Sequence, residues 1–189
     1  MKLILEGPDN AGKTTLAQRV VAALGDRVIY RHPGGRPDDL QAELNCMNEQ
    51  LWLLTNQPNI VHDRVTCISQ QVYNSDVQLN EMRNLALRDL MSIPGLVIVY
   101  CRPPTDRLMA VEEFTWREGE TEEHMQKIVR NQHKFIERYD ALMQTVPCIS
   151  YNYKEPSAEV IYQKIVQAMS GVIGSQAWFD ELINYRSAS

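Results

Sequence analysis

The feature that most constrains this chain is a glycine-rich segment placed directly after a short apolar run. Leu3-Ile4-Leu5 precedes Gly7-Pro8-Asp9-Asn10-Ala11-Gly12-Lys13-Thr14-Thr15, which fits the pattern GxxxxGK[ST], and a helical pattern begins near Lys13. In this strand, loop and helix context the pattern predicts a P-loop, because its glycines let backbone N–H groups point inward around phosphate oxygens. The segment therefore predicts a binding site for a nucleoside triphosphate.

The individual residues of this loop have distinct expected roles. We expect all nine residues from Gly7 to Thr15 to bind ATP. Lys13 would reach the β- and γ-phosphates and take part in catalysis, and the Thr14 hydroxyl would be a ligand of Mg²⁺. The expected cofactor is therefore Mg²⁺, with ATP as the phosphoryl donor.

Composition limits the class of protein further. The chain has 189 residues, of which 44% are hydrophobic, enough for one domain with a sizeable core. Its longest apolar run, residues 96–101, is far shorter than the roughly 20 residues that span a bilayer. The P-loop stands where a signal peptide would have its apolar region. We therefore expect a cytoplasmic protein without a membrane partner. The net charge of −5 argues against broad nonspecific binding to nucleic acid.

Beyond the loop, apolar runs and helical patterns alternate along the chain. Runs near residues 28–30, 59–63, 96–101 and 147–151 predict four further strands, with helical patterns between them. This alternation predicts an α/β fold in which a five-stranded parallel sheet is flanked by helices, in a single domain over residues 1–189. The tail, residues 171–189, carries no pattern that assigns it a role.

Two further motifs follow the predicted second and third strands. They are Arg31-His32-Pro33-Gly34-Gly35 and Asp63-Arg64, the latter followed by Ser69 and Tyr73. Together with Asp9 in the P-loop, they resemble the thymidylate kinase family, which has a GxDxAGK[ST]T loop, an RExPGG-like loop and a DR motif with downstream Ser and Tyr. The resemblance implies a three-layer P-loop kinase fold with a helical lid.

The resemblance also implies roles for matching residues. Arg64 would be catalytic by holding the acceptor phosphate or the phosphoryl group in flight, because a guanidinium binds phosphate oxygens in pairs. Asp63, a second catalytic residue, would face the Mg²⁺ site or orient the acceptor. Asp9 would contact the sugar hydroxyl of the acceptor. The acceptor-binding residues then comprise Asp9, Arg31, Arg64, Ser69 and Tyr73. Considered alone, the Asp-Arg pair and Arg31 could also be ordinary solvated charges.

Three other positions are left open by their sequence context. Arg117 lies between two predicted helices, at about residues 114–122, where the family carries a lid that delivers arginine to ATP; a polar connector with a solvated arginine is the alternative. Trp52 could stack on the acceptor base or belong to the core. His62, inside the third strand, is interpreted as a buried and hydrogen-bonded histidine.

Departures from the family pattern concern the acceptor side. Only 27 residues separate Gly35 from Asp63, they contain no Phe-Ala-Ala-Asp-Arg-like helix, and His32 replaces the family's glutamate. By contrast, residues 100–104, Tyr-Cys-Arg-Pro-Pro, are similar to virus-encoded (phage) members, which would place the protein in the host cytoplasm. The donor site therefore matches the family more closely than the acceptor site.

These observations leave three functions open. The first is a kinase that transfers the ATP γ-phosphoryl group to a thymidine-like nucleotide, dTMP or a related deoxynucleoside monophosphate. The second is a kinase that modifies DNA by phosphorylating the hydroxymethyl group of 5-hydroxymethyluracil, as virus-encoded members of the family do. The third is a nucleotide-dependent switch ATPase with a protein partner. The family resemblance also makes a homodimer plausible.

Overall fold

The computed structural model describes residues 1–32, 37, 39–74, 79–104 and 121–171. Strands and helices alternate along them in the order β1 (Lys2–Glu6), α1 (Lys13–Leu24), β2 (Ile29–Arg31), α2 (Leu40–Asn56), β3 (Ile60–Asp63), α3 (Thr66–Tyr73), α4 (Asn80–Met91), β4 (Leu96–Cys101), α5 (Glu122–Met143), β5 (Ile149–Tyr151) and α6 (Ser157–Met169). A short 3₁₀ helix, Gly25–Arg27, joins α1 to β2.

The five strands form one parallel sheet in the order β2-β3-β1-β4-β5. Strand β1 is central and pairs with β3 on one side and β4 on the other, so that Leu5 lies opposite both Asp63 and Val99. The carboxyl ends of β1 and β3 are therefore adjacent. The P-loop follows β1 and the Asp-Arg motif ends β3, which brings the two motifs to one edge of the sheet.

Two hydrophobic cores cover the two faces of this sheet. Leu3 and Leu5 of β1 pack on one face with α1 and α6, while Ile4 between them packs on the other face with residues of α2 to α5. This separation follows from the two-residue period of a strand, which directs successive side chains to opposite faces. The predicted α/β fold, a five-stranded parallel sheet between helix layers, is confirmed.

Three predicted segments lie outside the described residues. They are Pro33-Gly34-Gly35 of the motif after β2, most of the expected lid at about residues 114–122 together with its Arg117, and the tail beyond Gly171. Among the residues that are described, no helix combines the length and the apolar character that a membrane span requires.

Candidate active site

The P-loop curls because three of its residues have positive φ angles: Gly7 at 145°, Asn10 at 56° and Gly12 at 81°. A Cβ atom on Gly7 would overlap the carbonyl oxygen of Cys101, and one on Gly12 would lie 3.2 Å from the ring of Tyr153. Both positions therefore require glycine, for backbone conformation and for space. The loop conformation predicted from the sequence depends on these two residues.

The P-loop borders a cleft of about 730 Å³. Its wall consists of residues 9–15, the first turns of α1 up to Arg19, and the segment between β5 and α6 that contains Tyr153 and Pro156. Helix α1 begins directly at the loop, and Gly12 at its N-cap provides no side chain to cap the first N–H groups. An anion in the cleft would therefore meet free N–H groups and the positive end of the helix dipole.

The Lys13 side chain is buried within this loop. Its Nζ donates a hydrogen bond to the carbonyl oxygen of Pro8 at 2.5 Å. Burial and the nearby Arg64 lower the pKa of Lys13 to about 8, against the opposing attraction of Asp9 and Asp63. The ammonium is thus held inside the loop at the place where the sequence predicts phosphate binding.

The Asp63 carboxylate connects the end of β3 to the P-loop. One of its oxygens, Oδ2, accepts hydrogen bonds from the hydroxyls of Thr14 (2.8 Å) and Tyr30 (3.3 Å) and lies 3.4 Å from Nδ1 of His32. The other oxygen, Oδ1, is buried and has no hydrogen-bond partner among the described residues. Mg²⁺ prefers hard oxygen ligands and commonly takes one carboxylate together with phosphate oxygens. This spare oxygen and the Thr14 hydroxyl fit the predicted Mg²⁺ site.

Arg64 is the centre of a second group of contacts, which we name the arginine cluster: Asp9, Arg64 and Tyr73. Nη2 of Arg64 donates to Oδ1 of Asp9 (2.7 Å), to the Tyr73 hydroxyl (3.1 Å) and to the carbonyl oxygen of Gly7 (3.3 Å). The Tyr73 hydroxyl in turn donates to Oδ2 of Asp9 at 3.3 Å. Burial opposes the charge of Asp9, but Arg64 and Lys13 outweigh it and lower the pKa of that carboxyl.

Buried polar atoms without partners are concentrated around these two groups of contacts. Among the described residues they are Asn10 Nδ2, His62 Nε2, Asp63 Oδ1, Arg64 Nε and Gln70 Oε1. Buried polar atoms are normally hydrogen-bonded, so each unpartnered one needs an explanation, and a bound ligand is one. His62 is buried as predicted, and its Nδ1 lies 3.3 Å from the carbonyl oxygen of Arg64, but its other nitrogen is unpartnered.

The hydrogen bonds of the arginine cluster do not include the remaining residues predicted for the acceptor. The Ser69 hydroxyl donates to the carbonyl oxygen of Val65 within α3. Trp52 is 60% exposed on α2, and Arg31 ends β2 with an exposed side chain. The structure thus joins three of the predicted acceptor residues by direct hydrogen bonds, and none of its described contacts joins these other three to them.

Two polar residues at the site were not found by sequence reasoning. Glu6 is fully buried at the end of β1, where its carboxylate accepts hydrogen bonds from the Val65 N–H and the Tyr139 hydroxyl. Gln50, buried on α2, accepts from the Thr66 N–H. The signal in the sequence was weak: each is a polar residue at a position that the hydrophobic pattern assigns to the core. Burial raises the pKa of Glu6 to about 7.

Comparison with known proteins establishes the fold. No protein-family model and no curated protein matches the chain. Among solved structures it is similar to YorR from Bacillus subtilis in complex with phosphorylated GDP, with a TM-score of 0.62 and 18% identity over 90% of this chain and 96% of that one.

Two further solved structures are similar to the chain. Deoxyadenosine kinase from M. mycoides with bound dATP has a TM-score of 0.57 and 18% identity over 87% of this chain and 99% of that one. Shikimate kinase from Acinetobacter baumannii in complex with shikimate has a TM-score of 0.50 and 18% identity over 90% and 93%. The chain thus shares its fold with P-loop kinases, and the finer resemblance to thymidylate kinases stays a prediction.

Proposed function

We propose that this chain is a Mg²⁺-dependent kinase that transfers the γ-phosphoryl group of ATP to a thymidine-like acceptor, dTMP or a related deoxynucleoside monophosphate. The observation that carries this proposal is the contact between the two motifs. The P-loop hydroxyl of Thr14 bonds Asp63 at 2.8 Å, and the P-loop carboxylate of Asp9 bonds Arg64 at 2.7 Å. These contacts hold a half-buried guanidinium, which suits the binding of a phosphoryl group, beside the P-loop.

On the donor side, Lys13 and the first N–H groups of α1 would bind the phosphates. The Lys13 ammonium bonds only a carbonyl oxygen of its own loop among the described residues, and phosphate oxygens are stronger acceptors for it. Thr14 and Asp63 would hold Mg²⁺, which neutralises charge on the phosphates when bound. In the transfer the bond from the γ-phosphorus to the bridging oxygen breaks, a bond to the acceptor oxygen forms, and ADP leaves.

On the acceptor side, Arg64 would bind the transferred or accepting phosphate. Its guanidinium is held on one edge by Asp9, the Tyr73 hydroxyl and the Gly7 carbonyl, which fixes its orientation beside the P-loop. Its Nε is buried and has no hydrogen-bond partner among the described residues. Catalysis of phosphoryl transfer depends mainly on such positioning and charge stabilisation. The role of Asp9 toward the sugar of the acceptor follows from the thymidylate kinase resemblance.

A second acceptor, 5-hydroxymethyluracil within DNA, is favoured by Trp52. This residue is 60% exposed on α2, and an exposed aromatic side chain is suited to stacking on a base of a nucleic acid strand. The shortened segment between Gly35 and Asp63 is consistent with an acceptor that brings its hydroxyl on a polymer. The net charge of −5 opposes DNA binding in general, although a local contact does not depend on the sum.

Transfer of radiolabel from γ-labelled ATP in the presence of Mg²⁺ tests these acceptors side by side. The acceptors are dTMP, the other deoxynucleoside monophosphates, DNA containing 5-hydroxymethyluracil, and the same DNA with thymine in its place. We expect label on dTMP. Label on the modified DNA alone would replace the first proposal by the second. ATP hydrolysis with no labelled acceptor would contradict both and favour a switch ATPase.

A further inference from the structure

The carboxylate of Glu6 accepts a hydrogen bond from the residue that directly follows Arg64 of the arginine cluster. Glu6 is the last residue of β1 and is fully buried. Its Oε1 accepts the Val65 N–H at 2.6 Å and its Oε2 accepts the Tyr139 hydroxyl at 3.1 Å. A carboxylate that accepts a backbone N–H at this distance makes a charge-assisted hydrogen bond, which is stronger than one between neutral groups.

Arg64, the residue that directly precedes Val65, has an unusual backbone conformation. Its φ angle is 77°, in the left-handed region that non-glycine residues seldom adopt. Such a conformation persists only when the surrounding structure holds it in place. The end of β1 does so from both sides, because the Arg64 N–H donates to the Leu5 carbonyl at 2.9 Å and the next N–H, that of Val65, donates to Glu6.

The Val65 contact also replaces a missing cap. Val65 is the N-cap of α3, and its apolar side chain cannot accept a hydrogen bond from the first N–H groups of the helix. Buried side chains of other elements accept them instead: Glu6 accepts from Val65 and Gln50 from Thr66. Helix α3 carries Tyr73, so the same contacts also place the tyrosine of the arginine cluster.

We infer that Glu6 is a positioning residue for phosphoryl transfer, which holds the left-handed turn at Arg64 through its bond to the Val65 N–H and so keeps the guanidinium beside Asp9. This role rests on the proposed kinase function, in which Arg64 binds the phosphoryl group. Glu6 itself touches neither substrate. The raised pKa of Glu6 agrees with its burial, which is opposed by the Val65 bond and by the charges of Arg64 and Lys13.

The backbone contact can be tested without any substrate. The amide of Val65 is followed by nuclear magnetic resonance in the wild type and in Glu6→Met, Glu6→Gln and Tyr139→Phe. In Glu6→Met, which has no acceptor, we expect the Val65 N–H to exchange at least about tenfold faster. In Glu6→Gln, whose amide oxygen can accept the bond, exchange should stay within about threefold of the wild type. Tyr139→Phe removes only the other contact and should leave Val65 unchanged.

The effect on transfer is measured by a double-mutant cycle with Arg64→Ala. If Glu6 acts through Arg64, Glu6→Met should lower kcat about 10- to 100-fold when Arg64 is present and less than about threefold when it is absent. The KM for ATP should change little, and Glu6→Gln should restore most of kcat. The inference would be overturned if Glu6→Met lowered kcat by the same factor with and without Arg64. It would also be overturned if the exchange rate of the Val65 amide were unchanged in Glu6→Met.

The two readouts separate the possible failures. If the wild type labels no acceptor, the kinase proposal fails while the amide measurement still decides whether Glu6 holds the turn. If Glu6→Met does not fold, Glu6→Gln and Tyr139→Phe decide: loss of the charge should move the Val65 amide proton upfield in Glu6→Gln and leave it in place in Tyr139→Phe. The reverse pattern would contradict the role.

Discussion

The proposed donor and acceptor sides of the candidate site are built in different ways. The donor side is nine consecutive residues, 7–15, shaped by the backbone through three positive φ angles and by the helix that follows. The acceptor side consists of side chains from separate elements, Asp9 in the loop, Arg64 after β3 and Tyr73 on α3, held by hydrogen bonds. A backbone site depends on local sequence, whereas a site of side chains depends on how distant elements pack.

The two sides also differ in the group that accepts a hydrogen bond from their cationic side chain. Lys13 lies inside its loop against the Pro8 carbonyl, whereas Arg64 bonds the carboxylate of Asp9. Loss of the donor cation should therefore affect every acceptor equally. Changes on the acceptor side should instead discriminate between acceptors or act through geometry. The following experiments test that difference, beginning with the largest expected effect.

Lys13→Ala should reduce transfer to every acceptor by at least about 1000-fold, because the donor phosphates lose a counter-charge that a buried site cannot replace with water. The measurement is label transfer from γ-labelled ATP, with the exposed Lys134→Ala as a control for charge. Retention of transfer by the Lys13 variant, with Lys134→Ala also active, would remove the P-loop from the mechanism.

Asp63→Asn should raise the Mg²⁺ concentration needed for half-maximal activity about 10- to 100-fold. The amide keeps an oxygen for the Thr14 hydroxyl but loses the negative charge that favours the cation. A Mg²⁺ titration of activity measures this, and Asp89→Asn on the exposed face of α4 is the matched control. An unchanged titration would place the ion elsewhere.

Trp52→Ala tests whether the acceptor side reaches beyond the arginine cluster. If the acceptor is DNA, loss of an exposed stacking surface should raise its KM by about fivefold or more, whereas the KM for dTMP should not change. Leu85→Ala, which removes another exposed apolar side chain on α4, serves as the control. Equal changes for both acceptors would show that Trp52 does not distinguish polymer from nucleotide.

The pH dependence of stability tests Glu6, which ends the strand before the P-loop and bonds the residue after Arg64. Its pKa of about 7 in the folded protein exceeds the ordinary value of 4.5, so the folded state binds the proton more tightly than the unfolded state. By linkage, the stability contributed by the protonated group is complete below about pH 4.5 and is lost as the pH rises through about 7.

This contribution is measured as the difference in Tm between the wild type and Glu6→Gln, which has no titrating group at this position. Relative to the variant, the wild type should lose several degrees of Tm between about pH 4.5 and pH 8, with the change levelling off about one pH unit above the folded-state pKa. A constant difference across this range would show that Glu6 does not titrate there.

Parts of the site differ in how far they could be predicted from the sequence. The P-loop and its neighbouring strand and helix were predicted with their residues, because glycines at fixed spacing after an apolar run specify a local conformation. Asp63 and Arg64 were predicted as site residues only because they end a predicted strand and also match a motif of the thymidylate kinase family. Glu6 and Gln50 were missed, because a single polar residue within an apolar pattern does not reveal its partner.

The sequence by itself determined the alternation of strands and helices, the conformation of the P-loop and the placement of its Lys and Thr at the start of a helix. These depend on residues that are close together in the chain, where periodicity and glycine act directly. The tertiary structure decided that β3 lies beside β1, and with it that Arg64 meets Asp9 across 55 positions and that Glu6 bonds Val65 across 59. Such contacts depend on strand order, which no local pattern encodes. Once the strands are packed, a polar group that becomes buried needs a hydrogen-bond partner.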